Sequence, residues 1–302
     1  MTVTRIGSQR DILGESPLWD EEEQALYWVD IRRPALRQLD HASGQIETRA
    51  MPGVVGSIAL AGQGRLLVAL AEQVALYGWA QDRLETVATL PDRIPGHRFN
   101  DGRCDRQGRF WVGTMHNLTR APEGALYRLE PGGTLAPVLR GLCIPNSLAW
   151  SPDGRTLYFA DSLHHAISRY DYDPATGAIG PAQPFVRTTK PGFPDGSTVD
   201  ADGFLWNAEF NGGRVVRYAP DGRVDRVIAV PVPRPTSCAF GGSGLDTLFV
   251  TTTSQGMGSA ELDAQPLAGA LLALEVGVRG LVEPRWAGAG LQPARMMAGA
   301  AP

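Results

Sequence analysis

Residues 194–206 read Pro194-Asp195-Gly196-Ser197-Thr198-Val199-Asp200-Ala201-Asp202-Gly203-Phe204-Leu205-Trp206. A polar residue, Asp195, stands four positions before an apolar anchor, Val199. A turn, Ala201-Asp202-Gly203, follows, and then an apolar run. Gly takes positive φ without steric cost and Asp caps such a turn, so the stretch reads as strand, tight hairpin, strand. The same spacing recurs in Glu15→Trp19, Gly56→Leu60, Asn100→Cys104, Asn146→Trp150 and Thr236→Phe240. First members at 15, 56, 100, 146, 195 and 236 give steps of 41, 44, 46, 49 and 41 residues. A period of that size is one four-stranded propeller blade.

The expectation is an all-β fold, a six-bladed β-propeller with a central channel, forming a single domain over 1–302. Its blades begin near the six positions above. Further apolar runs, such as Val215-Val216-Arg217-Tyr218 and Gly269-Ala270-Leu271-Leu272-Ala273-Leu274, supply third strands. Val3-Thr4-Arg5-Ile6 precedes the first anchor and suits the strand that closes the ring. From about Pro293 the chain is Ala, Gly and Met without period, which predicts a frayed tail.

Composition narrows the function. The net charge is −4 and no basic stripe is visible, which argues against a nucleic-acid partner held through phosphates. No apolar run reaches the roughly 18 residues of a membrane span, and the start MTVTRIGSQR lacks a secretory apolar core. Three separated cysteines, Cys104, Cys143 and Cys238, read as free thiols of a reducing compartment. The expectation is a cytoplasmic monomer. Lys190 is the only lysine and sits beside Pro191, a poor setting for Schiff-base chemistry. A GxSxG elbow, a Walker loop and a dinucleotide fingerprint are all absent.

Equivalent positions of successive blades face one axis. Three of the six are Glu15, Asn146 and Asp195, a set of oxygen donors that suits a hard divalent cation. Ca²⁺ comes first, and Zn²⁺, Mn²⁺, Mg²⁺ or Fe²⁺ also fit the set. Without a cation, the two carboxylates would oppose each other near the axis and one would hold a proton. Asn100 shares the axial position, and Arg98, two residues earlier, lies on the same face of an extended strand. Arg and Asn beside a cation suit a polyhydroxylated or carboxylated small molecule, although an Arg there also suits a surface loop. Asp101 points to the opposite face and reads as a turn brace. His116 follows a second strand toward the loop face and is a candidate substrate contact; an exposed loop histidine is the plainer reading. Small residues at Gly56 and Thr236 would leave space for substrate.

Leu13-Gly14-Glu15-Ser16-Pro17, Arg98-Phe99-Asn100-Asp101-Gly102, Gly113-Thr114-Met115, Pro145-Asn146-Ser147 and Pro194-Asp195-Gly196-Ser197 together resemble the regucalcin/gluconolactonase (senescence marker protein) family. The resemblance covers about residues 10–280. It implies a six-bladed propeller with one channel cation, and hydrolysis of a sugar lactone to the aldonic acid. It implies Glu15, Asn146 and Asp195 as metal ligands, Asp195 also as general base, and Arg98 and Asn100 as substrate holders. After Gly-Thr-Met this chain has His116-Asn117-Leu118, where animal members carry acidic residues, which is closer to bacterial sugar lactonases. Two other readings of a propeller with a channel cation are a phosphotriesterase-like hydrolase and a non-enzymatic calcium-binding protein.

Overall fold

The computed structural model describes residues 2–288. It contains six four-stranded antiparallel sheets, the blades of a six-bladed propeller. The inner strands are Gly14–Asp20, Val55–Gly62, His97–Cys104, Pro145–Trp150, Phe193–Val199 and Pro235–Gly241. All six axial positions of the sequence repeat fall within them. The ring closes as expected. Val3–Ile6 pairs antiparallel with Leu271–Glu275, so the first strand completes the last blade. The expected frayed tail from Pro293 lies outside the described residues. Among those residues no helix is long and apolar enough to cross a membrane.

Each inner strand carries a one-residue bulge at its axial position. The register breaks between Glu15 and Leu18, Val55 and Ser57, Phe99 and Gly102, Asn146 and Ala149, Pro194 and Ser197, and Pro235 and Ser237. A bulge leaves backbone unpaired, sharpens the local twist and re-aims side chains. Here it frees the inner strand from strict alternation where its side chains meet the channel. Ser16 and Ser147, the residues after Glu15 and Asn146, have φ of 53° and 62°. Non-glycine residues occupy that left-handed region only under the constraint of their surroundings.

Core packing lies between neighbouring blades. Trp19, Trp28, Trp111 and Trp206 are almost wholly enclosed among apolar side chains of their own and neighbouring blades. Three of these indoles donate to a buried carboxylate that also holds an arginine. Asp11 accepts from Trp28 and Arg37, Asp105 from Trp111 and Arg109, and Asp200 from Trp206 and Arg217. These hubs tie inner strands to outer ones.

The segment 279–287 crosses the end of the channel opposite the cavity described below. Gly280 bridges to Asp200, Arg285 bridges to Leu60, and the Trp286 and Ala287 amides donate to Leu60 and Gly108. Glu283 pairs with Arg103 at 3.3 Å, and Arg285 with Asp20 at 2.6 Å. This strap floors the channel; it carries no propeller periodicity that would reveal it in sequence.

Candidate active site

On the face where inner strands begin and second strands end, a cavity of about 360 Å³ opens on the axis. Glu15, Arg98, Asn100, Asn146 and Asp195 all line it. The structure therefore brings together five of the six residues singled out from the sequence.

A directed chain of hydrogen bonds sets the orientation of every amide. Arg98 donates to Asn100 Oδ1 at 2.7 Å and to Asn117 Oδ1 at 3.0 Å. Asn100 Nδ2 donates to Asn146 Oδ1 at 2.7 Å and to the Pro145 carbonyl at 2.9 Å. Asn146 Nδ2 donates to Ser162 Oγ at 2.8 Å, and that hydroxyl donates onward to the Pro194 carbonyl at 2.6 Å. A guanidinium only donates and a carbonyl only accepts, so both ends of the chain fix its polarity. Asn146 must turn its oxygen toward Asn100, and one lone pair of that oxygen stays free.

The two carboxylates are treated differently. Glu15 accepts from the amide of the adjacent Ser16 at 3.0 Å, and for Asp195 the backbone of the adjacent Gly196 gives only a small help to the charged form. Burial, with the charge of Asp101 added, pushes the Glu15 carboxyl up to about 8. Burial and then the charge of Glu15 raise Asp195 well above the usual carboxylate range. Arg98 lowers both, without compensating them. Its own pKa falls to about 10, through burial first and the nearby Arg32 second. Two under-bonded carboxylates, Asp195 buried and Glu15 partly buried, beside a fixed amide oxygen form a donor set that a divalent cation satisfies. The residues present fit such an ion.

Other expectations meet a different geometry. His116 does not reach the cavity wall: its Nδ1 accepts from the Leu118 and Thr119 amides at 3.2 and 3.1 Å, bracing the rim loop. Asn117, the next residue, lines the cavity and is held by Arg98. Asp101 is more than a turn brace. Its Oδ2 accepts from the Leu148 amide of the next blade at 2.9 Å, and its charge raises both Glu15 and Asp195. The bulge explains this, because it breaks the alternation that assigned Asp101 to the opposite face. Gly56 provides no room for substrate: a Cβ there would lie 2.3 Å from the Phe99 carbonyl oxygen. The missing side chain lets two inner strands approach. Thr236 likewise binds structure, donating to the Gly14 carbonyl at 2.6 Å.

Ser162 is the main supporting residue that sequence reading did not find. It follows the strand Thr156–Asp161, and only the fold carries its hydroxyl between two inner strands. Asp161 itself accepts from the Cys143 and Ile144 amides, pinning the approach to Asn146. Glu209, in the next blade, holds side chains instead, Arg214 at 2.7 Å and Tyr218 at 2.8 Å.

Comparison with known proteins finds relatives over nearly the whole chain. Residues 13–254 match the SMP-30/gluconolactonase/LRE-like region. The chain is 36% identical to regucalcin of Gallus gallus over 291 residues, covering 94% of this chain and 97% of that one. It is 37% identical to a 6-deoxy-6-sulfogluconolactonase of Pseudomonas putida over 289 residues, covering 95% and 99%. The crystal structure of a calcium-binding protein, regucalcin, from Agrobacterium tumefaciens superposes with a TM-score of 0.90 at 32% identity, over 93% of this chain and 96% of that one. The chain belongs to the SMP-30/gluconolactonase/LRE-like family.

Proposed function

We propose that this protein hydrolyses a sugar lactone to its aldonic acid, as a carboxylic-ester hydrolase with one divalent cation held by Glu15, Asn146 and Asp195. The observation that carries the reading is the pair of under-bonded carboxylates beside an amide oxygen of fixed direction, at the base of an axial cavity. The identity to a lactonase over nearly the whole chain supports it. Ca²⁺ is the first candidate, in keeping with the calcium-binding neighbour.

A divalent cation bound there supplies positive charge for the lactone carbonyl and its developing oxyanion, and acidifies water. Asp195 accepts a proton as the water oxygen bonds to the carbonyl carbon. It returns that proton to the ring oxygen when the carbon–oxygen bond of the ring breaks, so the ring oxygen leaves as a hydroxyl. Arg98 and Asn100 orient the sugar. Arg98 is itself fixed by its bonds to Asn100, Asn117 and the Phe99 carbonyl, so it presents donors without losing rotamer freedom on binding. The three cysteines are free thiols in the structure, and a cytoplasmic setting suits them.

The test is a pH-indicator hydrolysis panel of aldonolactones on metal-stripped protein, with single divalent cations added back. Turnover restored by a cation is the expected result. No turnover of any aldonolactone with any cation would overturn the reading.

A further inference from the structure

The cavity has a charge excess that hydrolysis of a neutral sugar does not call for. Four arginines line it, Arg32, Arg98, Arg120 and Arg234, against two acids, Glu15 and Asp195. The chain as a whole carries −4. Among the described residues none of the four guanidiniums has a carboxylate oxygen within 4 Å. Elsewhere the protein neutralises its buried arginines: Arg37, Arg109 and Arg217 all sit on aspartates.

Arg32 and Arg234 are also pre-positioned. Arg32 lies in the turn after the strand Ala25–Asp30, and Arg234 stands immediately before Pro235–Gly241. Arg32 donates its Nε to Gln255 Oε1 at 2.9 Å, which leaves both terminal nitrogens for a ligand. Arg234 donates one terminal nitrogen to the Gln255 carbonyl at 2.8 Å, and its guanidinium lies 5.9 Å from the centre of the Phe210 ring. One residue, Gln255, thus holds two forks on the same wall. Arg32 is close enough to Arg98 to disfavour its charge. Arg98 is buried, Arg32 and Arg234 are partly buried and Arg120 stands at the exposed rim. Gathering cations without ion pairs around one cavity costs free energy, and an anion offsets that cost.

We infer that Arg32 and Arg234 form a subsite for an anionic group at the end of the sugar remote from the lactone, so that the preferred substrates are aldonolactones bearing a terminal phosphate, sulfonate or carboxylate. This rests on the lactonase reading above. The planar guanidinium fork matches the oxygens of all three groups in bidentate fashion.

The experiment compares kcat/KM for glucono-1,5-lactone with that for its 6-phospho and 6-sulfo derivatives and for glucaro-1,5-lactone, which carries a terminal carboxylate, in the native chain and in Arg32→Met/Arg234→Met. The expected result is a preference of about tenfold or more for a charged lactone, the size of a charge-assisted hydrogen bond, expressed in KM. That ratio should shrink as salt is raised and collapse toward one in the double variant. The relative rates of the phosphate, sulfonate and carboxylate arms identify the anion. A ratio near one in the native chain, or a ratio the double variant leaves unchanged, overturns the inference. Should the double variant not fold, the single variants and the salt dependence of the native protein give the same reading. Should no lactone be hydrolysed, the activity reading fails by itself. Calorimetric binding of 6-phosphogluconate against gluconate then decides the subsite, with equal affinities overturning it.

Discussion

Asp195 and Asp200 stand at the two ends of one inner strand, five residues apart, and both are buried. Asp200 accepts from the Asp202 and Phe204 amides at 3.0 Å, from the Trp206 indole at 2.8 Å, and from Arg217 at 2.8 and 2.7 Å. Asp195 has the amide of its own neighbour and repulsion from Glu15 and Asp101. The same residue type therefore serves as a structural hub at the floor and as an under-bonded carboxylate at the cavity. A buried charge that the fold has already paired can do little chemistry; one left unpaired is held ready for a cation or a proton. The hubs at Asp105 and Asp200 supply the rigidity at the floor that makes the strain at the other end sustainable.

Exchanging the pairing logic should separate activity from stability. Asp195→Asn should lower lactone turnover by roughly 10³-fold or more, as loss of a combined base and ligand implies. Its thermal midpoint without metal should stay level or rise, because a raised carboxyl is removed. Retained turnover in that variant would take Asp195 out of the mechanism. Asp200→Ala should do the reverse. It leaves Arg217 short of its main partner, and a loss of about 3–5 kcal/mol is the usual result of breaking a buried pair. Denaturant unfolding measures it, and an unchanged midpoint would refute the hub assignment.

A finer test concerns the amide relay. Ser162→Ala removes the group that fixes Asn146, and orienting partners of that kind are worth about 10–100-fold in metal affinity. Calorimetric titration with Ca²⁺ reads the effect; full affinity in the variant would mean that Asn146 needs no orientation.

The pH dependence tests the same contrast. In the metal-free fold Glu15 titrates at about 8 against 4.5 for the ordinary group. Between those values the folded state holds a proton that the unfolded chain has released, so this group's contribution to stability is complete below pH 4.5 and is lost as pH rises to about 8. A bound cation replaces that proton. The rise in melting temperature on adding cation should therefore be larger at pH 8 than at pH 5.5, and equal shifts would contradict the cause given for the Glu15 carboxyl. The smallest effect belongs to the rim. Asn117→Ala should raise KM by a few-fold, the worth of one hydrogen bond to Arg98, while kcat holds. A fall in kcat alone would place Asn117 in the chemistry.

Much of this molecule is legible in its sequence, for reasons that differ between residues. The blades are local: hairpin turns such as Asp202-Gly203 and alternating apolar runs set strand order without reference to distant chain. The period superposes Glu15, Asn100, Asn146 and Asp195 because equivalent blade positions converge on one axis. Even the floor hubs leave a trace, since Asp105 and Trp111 repeat the spacing of Asp200 and Trp206. Asp101 was misread because alternation fails at a bulge, and bulges lack a side-chain signature. Gly56 was misread because smallness in sequence does not say whether the vacated space goes to ligand or to neighbouring backbone.

The sequence by itself determines the number of blades, the closing strand and the donor types on the axis, because each depends on a short repeated pattern. Tertiary structure alone decides which carboxylates stay unpaired, which way Asn146 turns its oxygen, and that Arg32 and Arg234 meet on Gln255. Those facts depend on contacts between residues up to 223 positions apart, as in the bond from Arg32 to Gln255. Hydrogen-bond partnership at such range is a property of the closed ring, where loops from the first and last blades become neighbours.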